Sequence, residues 1–336
     1  MQKTLLVTGG AGFIGSCFVR ESLKQYRGAI VVLDALTYAG NLENLAEVAA
    51  EPGFRFVHGN ICDGALLARL LHEIRPEAVL HFAAETHVDR SILAPEAFIQ
   101  TNVAGTFQLL KATLDYYGSL DAEAKRDFRF LHLSTDEVYG SLSLTDPAFS
   151  EDAPYRPNSP YSASKAASNH LVRAYHQTYG LPTLTINASN TYGPRQFPEK
   201  LIPLMIQHAL AGKPLPIYGD GSNIRDWLYV SDLCSGIWSV LKRGRVGEIY
   251  NVGGEQEMSN LSLVNHLCVI LDNLAPKNTS YAEQIVYVKD RLGHDHRYAL
   301  NISKAHKELG WKPIETLDLG LRKSTLWYLR NAIKDS

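Results

Sequence analysis

The chain has 336 residues, a length that suggests about two domains or one large lobe with a smaller appendage. Its 33 basic and 35 acidic side chains give a formal net charge of −2, so it lacks the basic excess with which proteins bind nucleic-acid polymers or anionic membrane surfaces. With 45% hydrophobic and 20% charged residues, the composition is that of a globular protein and excludes a disordered or fibrous one.

The first residues, MQKTLLVTGG, form a short apolar run that stops at two glycines. A signal peptide has a longer apolar region followed by a cleavage site with small residues. No stretch approaches the ~18 apolar residues that a membrane-spanning helix needs. We therefore expect a cytoplasmic protein without a membrane partner.

Short apolar runs alternate with longer segments of helical period along the first half of the chain. The runs are TLLVT (4–8), AIVVL (29–33), FRFVH (54–58), AVLHF (78–82) and FRFLHLS (128–134). The intervening segments 64–74, 95–117 and 160–180 have the length and apolar spacing of helices. This alternation predicts an α/β fold with a Rossmann-type, doubly wound parallel sheet.

The pattern changes after about residue 195, where prolines and turn residues interrupt it. Short strands at 249–253 and 285–289 and helices near 231–243 and 260–274 predict a smaller mixed α/β lobe. We expect a first domain over 1–195 and a second one mainly over 196–336. The strands at 183–188 and 249–252 are expected to rejoin the first sheet, so that the chain crosses between the lobes more than once.

A glycine-rich turn follows the first predicted strand and opens the first helix. Gly9, Gly12 and Gly15 allow a tight turn, a close approach of the backbone to a pyrophosphate, and close packing of helix on strand. Asp34 ends the second strand, where a carboxylate accepts from a ribose 2′-hydroxyl and repels a 2′-phosphate. The turn therefore predicts a dinucleotide site that prefers NAD to NADP.

Tyr161 and Lys165 are four residues apart in the helix predicted over 160–180, so they lie on one face of it. A lysine ammonium near a tyrosine favours the phenolate and lowers the pKa of the phenol. Such a tyrosine is suited to take a proton from a sugar hydroxyl while a hydride leaves for nicotinamide.

Two adjacent carboxyl groups, Asp136 and Glu137, follow Thr135 at the end of the strand predicted over 128–134. Doubly wound folds bind ligands at this edge of the sheet. Neighbouring carboxyl groups raise each other's pKa, so one can stay protonated as a general acid while the other acts as a base. This arrangement is suited to the elimination of water.

The chain resembles the nucleoside-diphosphate-glucose 4,6-dehydratases, and most closely the dTDP-glucose 4,6-dehydratases, within the extended short-chain dehydrogenase/reductase superfamily. The segments that carry the resemblance span almost the whole chain. They are TYAGNLENL (37–45), AAETHVDRSI (83–92), TNVAGTFQLL (101–110), STDEVYG (134–140), YSASKAASNHLVRAY (161–175), YGPRQFPEKLIP (192–203), RDWLYVSD (225–232) and DRLGHDHRYALN (290–301).

The resemblance implies a reaction that oxidises C4 of the glucosyl group, eliminates water across C5 and C6, and returns the hydride to C6, so that NAD⁺ is regenerated. Tyr161, helped by Lys165 and Thr135, deprotonates the C4 hydroxyl. Glu137 removes the C5 proton, and Asp136 protonates the departing C6 hydroxyl. The enzyme is then an NAD-dependent hydro-lyase.

The resemblance also implies contacts to the two ligands, with residues 1–195 binding NAD⁺ and 196–336 mainly binding the nucleotide sugar. Besides the catalytic pair Tyr161 and Lys165, the implied cofactor residues are Gly9, Gly12, Phe13, Ile14, Gly15, Asp34, Ala35, Leu36, Thr37, Asn60, Ile61, Ala83, Ala84, Thr86, Thr101 and Thr191. The implied substrate residues are Thr86, His87, Thr135, Asn190, Glu199, Lys200, Leu201, Pro216, Ile217, Tyr218, Arg225, Asn260, Asp290, Arg291 and His294.

Two of these residues depart from the family pattern. Thr191 stands where a second Asn is usual near the nicotinamide, and Asn60 stands where an Asp is usual beside the adenine. Neither change removes a catalytic group. They leave open whether dTDP or UDP is the carrier.

Other functions remain as alternatives at this point. An epimerase or decarboxylase on the same scaffold needs the Tyr-Lys pair but no acid and base for C5 and C6. A non-enzymatic NAD-binding scaffold would bind the nucleotide without forming a keto sugar. No metal is expected, because the His294-x-His296 pair has no clear third ligand. The family implies a homodimer in which helices at 95–117 and 160–180 pair with their counterparts.

Overall fold

A computed structural model describes residues 3–332 of the chain. Its strands are β1 Thr4–Thr8, β2 Ala29–Asp34, β3 Phe54–His58, β4 Ala78–His81, β5 Arg129–Thr135, β6 Thr183–Ala188, β7 Asn190–Tyr192, β8 Leu215–Tyr218, β9 Ile224–Tyr229, β10 Ile249–Val252, β11 Glu257–Ser259 and β12 Ile285–Val288. Its helices are α1 Phe13–Leu23, α2 Gly64–Ile74, α3 Val88–Leu93, α4 Glu96–Phe98, α5 Thr106–Gly118, α6 Ala122–Asp127, α7 Pro160–Tyr179, α8 Leu201–Leu210, α9 Val230–Arg243, α10 Asn260–Leu274, α11 Ser303–Leu309 and α12 Leu317–Ala332. Short 3₁₀ helices cover Leu42–Val48, Asp136–Tyr139 and Tyr281–Gln284, and a π-helix covers Ile99–Gly105.

The main sheet is parallel, in the order β10-β6-β5-β4-β1-β2-β3. The chain moves outward from β1 to β3 and then returns to the other side of β1 as β4. The strand order therefore reverses between β1 and β4, which opens a crevice at the carboxyl ends of the strands. The predicted doubly wound fold is confirmed, and the five strands predicted in the first half end within one residue of the observed bounds.

The second lobe is built around a three-stranded sheet, β11-β9-β7, and the parallel pair β8 and β12. Helices α8, α10 and α12 cover it with a core that includes Ile206, Leu267 and Leu321. As expected, β6 and β10 belong to the main sheet, so the chain leaves and re-enters it. Strands β7, β8, β9 and β11 were not predicted. For three of them the reason is local: β7 and β11 are only three residues long, and β8 carries Pro216 at a sheet edge.

The helix predicted over 95–117 is interrupted by the π-helix at Ile99–Gly105. The wider turn directs Asn102 into the interior, where its side chain bonds both backbone groups of Glu85 and the Ser164 hydroxyl on α7. Single π turns are frequent where a helix serves a functional site. The interruption therefore ties α7 to the segment that follows β4.

The start of α7 is stabilised by a capping box. The Ser159 hydroxyl accepts from the Ser162 amide at 3.1 Å, and the Ser162 hydroxyl accepts from the Ser159 amide at 3.0 Å. Pro160 occupies the first turn, where its missing N–H costs nothing. These contacts hold the first turns of α7, which carry Tyr161 and Lys165, against β5 and β6.

Within residues 3–332, no helix is long and apolar enough to cross a membrane.

Replacing Ser159 with Ala should lower the free energy of unfolding by about 1 kcal/mol, because the buried Ser162 amide loses its acceptor. Urea denaturation followed by circular dichroism measures this change. Thr178→Ala, an exposed change near the other end of α7, is the matched control and should stay within about 0.5 kcal/mol of the parent. Equal stability of both variants would contradict the role of the cap.

Candidate active site

The glycine turn between β1 and α1 has the geometry that its spacing predicts. Gly9 has φ +71°, and a Cβ on it would lie 2.5 Å from the backbone nitrogen of Ala83. A Cβ on Gly15 would lie 2.2 Å from the Gly9 carbonyl oxygen, so this glycine lets the helix pack on the turn. A Cβ on Gly12 would approach the protein only at the Gly9 oxygen, at 3.3 Å, and would otherwise occupy the open space beside the turn.

Helix α1 begins beside this turn without a side-chain cap or an acidic residue in its first turn. Its first amides and its partial positive charge are therefore available to an anion. The turn and the helix start together fit the pyrophosphate of a dinucleotide.

Asp34 is buried at the end of β2. Its Oδ2 accepts from the Ala11 amide at 2.9 Å, and its Oδ1 accepts from the Leu36 amide at 2.8 Å. These bonds hold the carboxylate beside the glycine turn, and each oxygen keeps a further lone pair for a ribose hydroxyl.

One cavity of about 300 Å³ extends from the glycine turn along the carboxyl ends of the main-sheet strands. It gathers nearly all the predicted cofactor residues, with the exceptions of Leu36 and Lys165. Those that line it are Gly9, Gly12, Phe13, Ile14, Gly15, Asp34, Ala35, Thr37, Asn60, Ile61, Ala83, Ala84, Thr86, Thr101, Tyr161 and Thr191. Besides Thr86 and Tyr161, the predicted catalytic or substrate residues that line it are Thr135, Asp136, Glu137, Asn190, Glu199 and Lys200.

Asp136 and Glu137 start the 3₁₀ helix that follows β5 directly. The Thr135 hydroxyl accepts from the Glu137 amide at 3.3 Å and donates to Asp136 Oδ1 at 3.2 Å, so it holds both residues at the strand end. Asp136 is 1% exposed. Burial, followed by the neighbouring Glu137 carboxyl group, raises the pKa of Asp136 well above its usual range.

Glu137 has a different environment. Burial raises its pKa as well, but the positive charges of Lys200, Arg225 and Arg291 oppose this shift. The charge with the largest effect on Asp136 is the negative one of Glu137, whereas the charges acting on Glu137 are mostly positive. The pair therefore divides into a carboxyl group that retains its proton and one that ionises more readily.

Tyr161 and Lys165 are both buried, at 8% and 4% exposure, and Tyr161 lines the cavity while Lys165 lies behind it. The Lys165 ammonium donates to the Leu133 carbonyl at 2.8 Å. Burial lowers the pKa of Lys165 to about 7. It raises the pKa of Tyr161 well above 10, an effect that the Thr135 hydroxyl opposes.

The expectation that Lys165 lowers the pKa of Tyr161 was therefore wrong for these groups as they stand. Desolvation disfavours the charged form of each side chain. It outweighs the stabilisation of a Tyr161 phenolate by the Lys165 ammonium, which the helical spacing alone suggested.

Residues of α3 and of the loop before α8 close the cavity on the substrate side. Lys200 donates to the Thr86 carbonyl at 2.8 Å. Glu199 lies 3.2 Å from the Arg90 guanidinium and 3.7 Å from the His87 ring. Burial lowers the pKa of His87 to about 4, so its Nδ1 accepts the Arg90 amide at the start of α3.

Arg225 on β9 is 6% exposed. Its guanidinium donates to the carbonyls of Ile224 and Asp295, at 2.8 and 2.9 Å, and lies 4.3 Å from the centre of the Tyr298 ring. A buried cation held by neutral carbonyls and a ring keeps its charge available to an anion. Its field reaches Asp136 and Glu137.

The other predicted substrate residues lie outside the cavity lining. Arg291, Asp290, His294 and Tyr218 form one polar group, in which His294 Nδ1 lies 2.7 Å from Asp290 Oδ1 and Arg291 lies over the Tyr218 ring. Ile217 is buried in the core of the second lobe, so its side chain cannot contact a ligand there. The remaining three are Leu201, which packs on that core, Pro216 in β8, and Asn260, whose amide donates to the Asn223 carbonyl.

Several cavity residues were not predicted. Most follow or end a main-sheet strand, so a search at strand ends would have found them. These are Leu33, Gly59, Phe82, Glu85, Leu133, Ser134, Ala188 and Ser189. Ala39, Gly40, Gln196 and Phe197 come from loops and carried no periodic signal.

Known proteins resemble this chain over almost its whole length. A family model described as GDP-mannose 4,6 dehydratase matches residues 6–324. A dTDP-glucose 4,6-dehydratase of Xanthomonas campestris pv. campestris (strain B100) is 59% identical over 333 residues, covering 98% of this chain and 94% of the relative. The dTDP-glucose 4,6-dehydratase of Salmonella typhimurium is 53% identical over 335 residues, covering 97% and 93% of the two chains.

A crystal structure of a dTDP-glucose 4,6-dehydratase from Streptomyces venezuelae, solved with NAD bound, has a TM-score of 0.90 with this chain. The two are 46% identical, and the match covers 98% of each. The chain belongs to the dTDP-glucose 4,6-dehydratase family.

Proposed function

We propose that this protein is an NAD-dependent dTDP-glucose 4,6-dehydratase, which converts dTDP-glucose to the 4-keto-6-deoxy sugar. The observation that carries the proposal is the pair Asp136 and Glu137, which lines the same cavity as Tyr161. Removal of water across C5 and C6 needs an acid and a base in addition to the group that serves C4. An epimerase or decarboxylase on this scaffold has no use for that pair.

The unequal environments of the two carboxyl groups support their roles. Asp136, whose pKa is raised well above its usual range, keeps a proton to give to the departing C6 hydroxyl. The upward pKa shift of Glu137 is opposed by the charges of Lys200, Arg225 and Arg291, so Glu137 is the base for the C5 proton. That proton is acidic only after C4 has become a ketone, so the order of steps follows from the sugar's own chemistry.

Tyr161 takes the proton of the C4 hydroxyl, and Thr135, whose hydroxyl lowers the pKa of Tyr161, positions it. Lys165 is a positioning residue through its bond to the Leu133 carbonyl. When bound, NAD⁺ would supply the acceptor for the C4 hydride and the donor for the hydride added at C6, and its positive charge would favour the Tyr161 phenolate. The glycine turn, the start of α1 and Asp34 fit this cofactor, with Asp34 selecting it over NADP.

Turnover of dTDP-glucose in D₂O should place deuterium at C5 of the product, because the C5 proton leaves to Glu137 and is replaced after the hydride returns. Mass spectrometry and NMR of the product measure this incorporation.

Glu137→Gln should lower kcat by about 10²–10⁴-fold. Asp136→Asn should accumulate a 4-keto sugar that still carries its C6 hydroxyl, detected in a quenched single turnover.

Glu73→Gln, which changes an exposed carboxylate paired with Arg55, is the control and should leave kcat unchanged. Product without deuterium at C5, or wild-type turnover in Glu137→Gln, would contradict the proposed elimination.

The pH profile tests the base separately. Because Glu137 must be ionised to act, kcat/KM should fall as the pH drops through its pKa, which burial places above 4.5. Lys200→Gln removes a positive charge that favours ionised Glu137, so the acidic limb should move to higher pH. Lys213→Gln, an exposed change beyond α8, is the control and should leave the limb in place. An unmoved limb in Lys200→Gln would argue against Glu137 as the base.

We also propose that the protein acts as a homodimer in the cytoplasm. The dimer is supported by two large apolar side chains exposed along one helical segment, Ile99 at 52% and Phe107 at 40%. They lie eight residues apart, at the start of the π-helix and in the first turn of α5, and α5 packs beside α7. A second copy of the same face would bury both.

Phe107→Asp should halve the mass measured by size-exclusion chromatography with light scattering, because a carboxylate at the centre of an apolar interface is costly to bury. Leu144→Asp changes a side chain that is 65% exposed in a loop, and it should keep the mass of the parent protein. If both variants keep the parent mass and that mass is a dimer's, the contact lies on another face.

A further inference from the structure

An ion pair joins the start of α3 to the loop after β12, close enough to the cavity for the charge of Arg291 to act on Glu137. Arg291, in the loop after β12, donates from Nε to Asp89 Oδ1 at 2.5 Å and from Nη2 to Asp89 Oδ2 at 2.9 Å. Asp89 lies in the first turn of α3, beside His87 and Arg90. The contact therefore joins residues 202 positions apart in the chain.

Both partners are held in this arrangement by a third residue. The Tyr218 hydroxyl donates to Asp89 Oδ2 at 3.4 Å, and the Arg291 guanidinium lies 5.3 Å from the centre of the Tyr218 ring. The side chains of Arg291 and Asp89 are 23% and 32% exposed, so the pair is partly desolvated yet open to a ligand. The Asp89 carboxylate keeps the Tyr218 hydroxyl as a partner even if Arg291 moves.

A guanidinium binds a carboxylate and a phosphate in the same way, by two parallel N–H donors. The Nε and Nη2 edge of Arg291 can serve only one of them at a time. Asp89 therefore occupies the edge that a diphosphate would use, and its negative charge also repels a diphosphate nearby.

We propose that Asp89 is a competing carboxylate that the diphosphate of the nucleotide sugar must displace from Arg291, so that Asp89 sets how tightly the nucleotide is held. This inference rests on the proposed function only in taking a nucleoside diphosphate as the ligand. Substrate and product carry the same diphosphate, so strong binding of that group retains both alike and does not speed the chemical step. A competing carboxylate weakens this uniform binding and hastens release of the product.

Binding of dTDP to the NAD-loaded protein, measured by isothermal titration calorimetry and stopped flow, tests the inference. Asp89→Asn should lower the Kd for dTDP about fivefold, a change of about 1 kcal/mol, and most of the change should lie in a slower off-rate. Asp89→Glu keeps the carboxylate and should restore a Kd near that of the parent. A merely structural role for Asp89 would weaken dTDP binding in both variants.

Glu257→Gln is the matched control, because Glu257 holds Arg297 by the same two-pronged contact, at 2.5 and 2.8 Å. It should leave the Kd for dTDP unchanged. Arg291→Lys removes the paired donors, so the effect of Asp89→Asn should vanish in that background. An unchanged or higher Kd in Asp89→Asn, an equal fall in Glu257→Gln, or a full effect in the Arg291→Lys background would each overturn the inference.

Failure of the inference and failure of the proposed function give different results. Binding of dTDP requires no turnover. The predicted changes in Kd without any keto product would therefore reject the dehydratase and support the competition between Asp89 and the diphosphate. Normal product formation without those changes in Kd would support the dehydratase and reject the competition.

Discussion

The removal of two adjacent carboxyl groups from bulk water, complete for Asp136 and partial for Glu137, is the constraint on which this site depends. Asp136 and Glu137 leave water together at the end of β5, where desolvation and mutual repulsion both disfavour two negative charges. The fold resolves this conflict unevenly. Glu137 feels three cations, whereas Asp136 lies next to Glu137 and within the field of a third buried carboxyl group, Asp226. The proposed acid and the proposed base therefore have different environments although they are neighbours in the sequence.

The cations that make this difference come from the second lobe and its connections. Lys200 precedes α8, Arg225 lies in β9, and Arg291 follows β12. The main sheet thus carries the proposed reacting groups and the glycine turn, and the second lobe with its connections carries the charges that act on Glu137. The chain crosses between the lobes more than once, with β6 and β10 in one sheet and β7 and β9 in the other. The Asp89–Arg291 pair joins the lobes at the same place.

Local patterns predicted the first half of the molecule well, because each parallel strand there is a continuous apolar run bounded by turn residues. They predicted the second half less well, since strands such as β7 and β11 are three residues long and are set by their partners rather than by their own composition. The π-helix at Ile99–Gly105 was also missed. Within its wider turn, Asn102 bonds Glu85 and Ser164, which lie 17 and 62 positions away in the chain.

The sequence by itself determined the class of fold, the dinucleotide turn, and the identity of the groups that meet at the sheet edge, because these depend on spacing within short segments. The protonation preferences were decided only by the tertiary structure. Spacing on a helix suggested that Lys165 would acidify Tyr161, yet burial raises the pKa of Tyr161 and lowers that of Lys165. Desolvation depends on everything packed around a group, and no local pattern encodes it. Likewise, only the folded chain showed that Arg291 is already held by Asp89, a carboxylate 202 positions away in the chain.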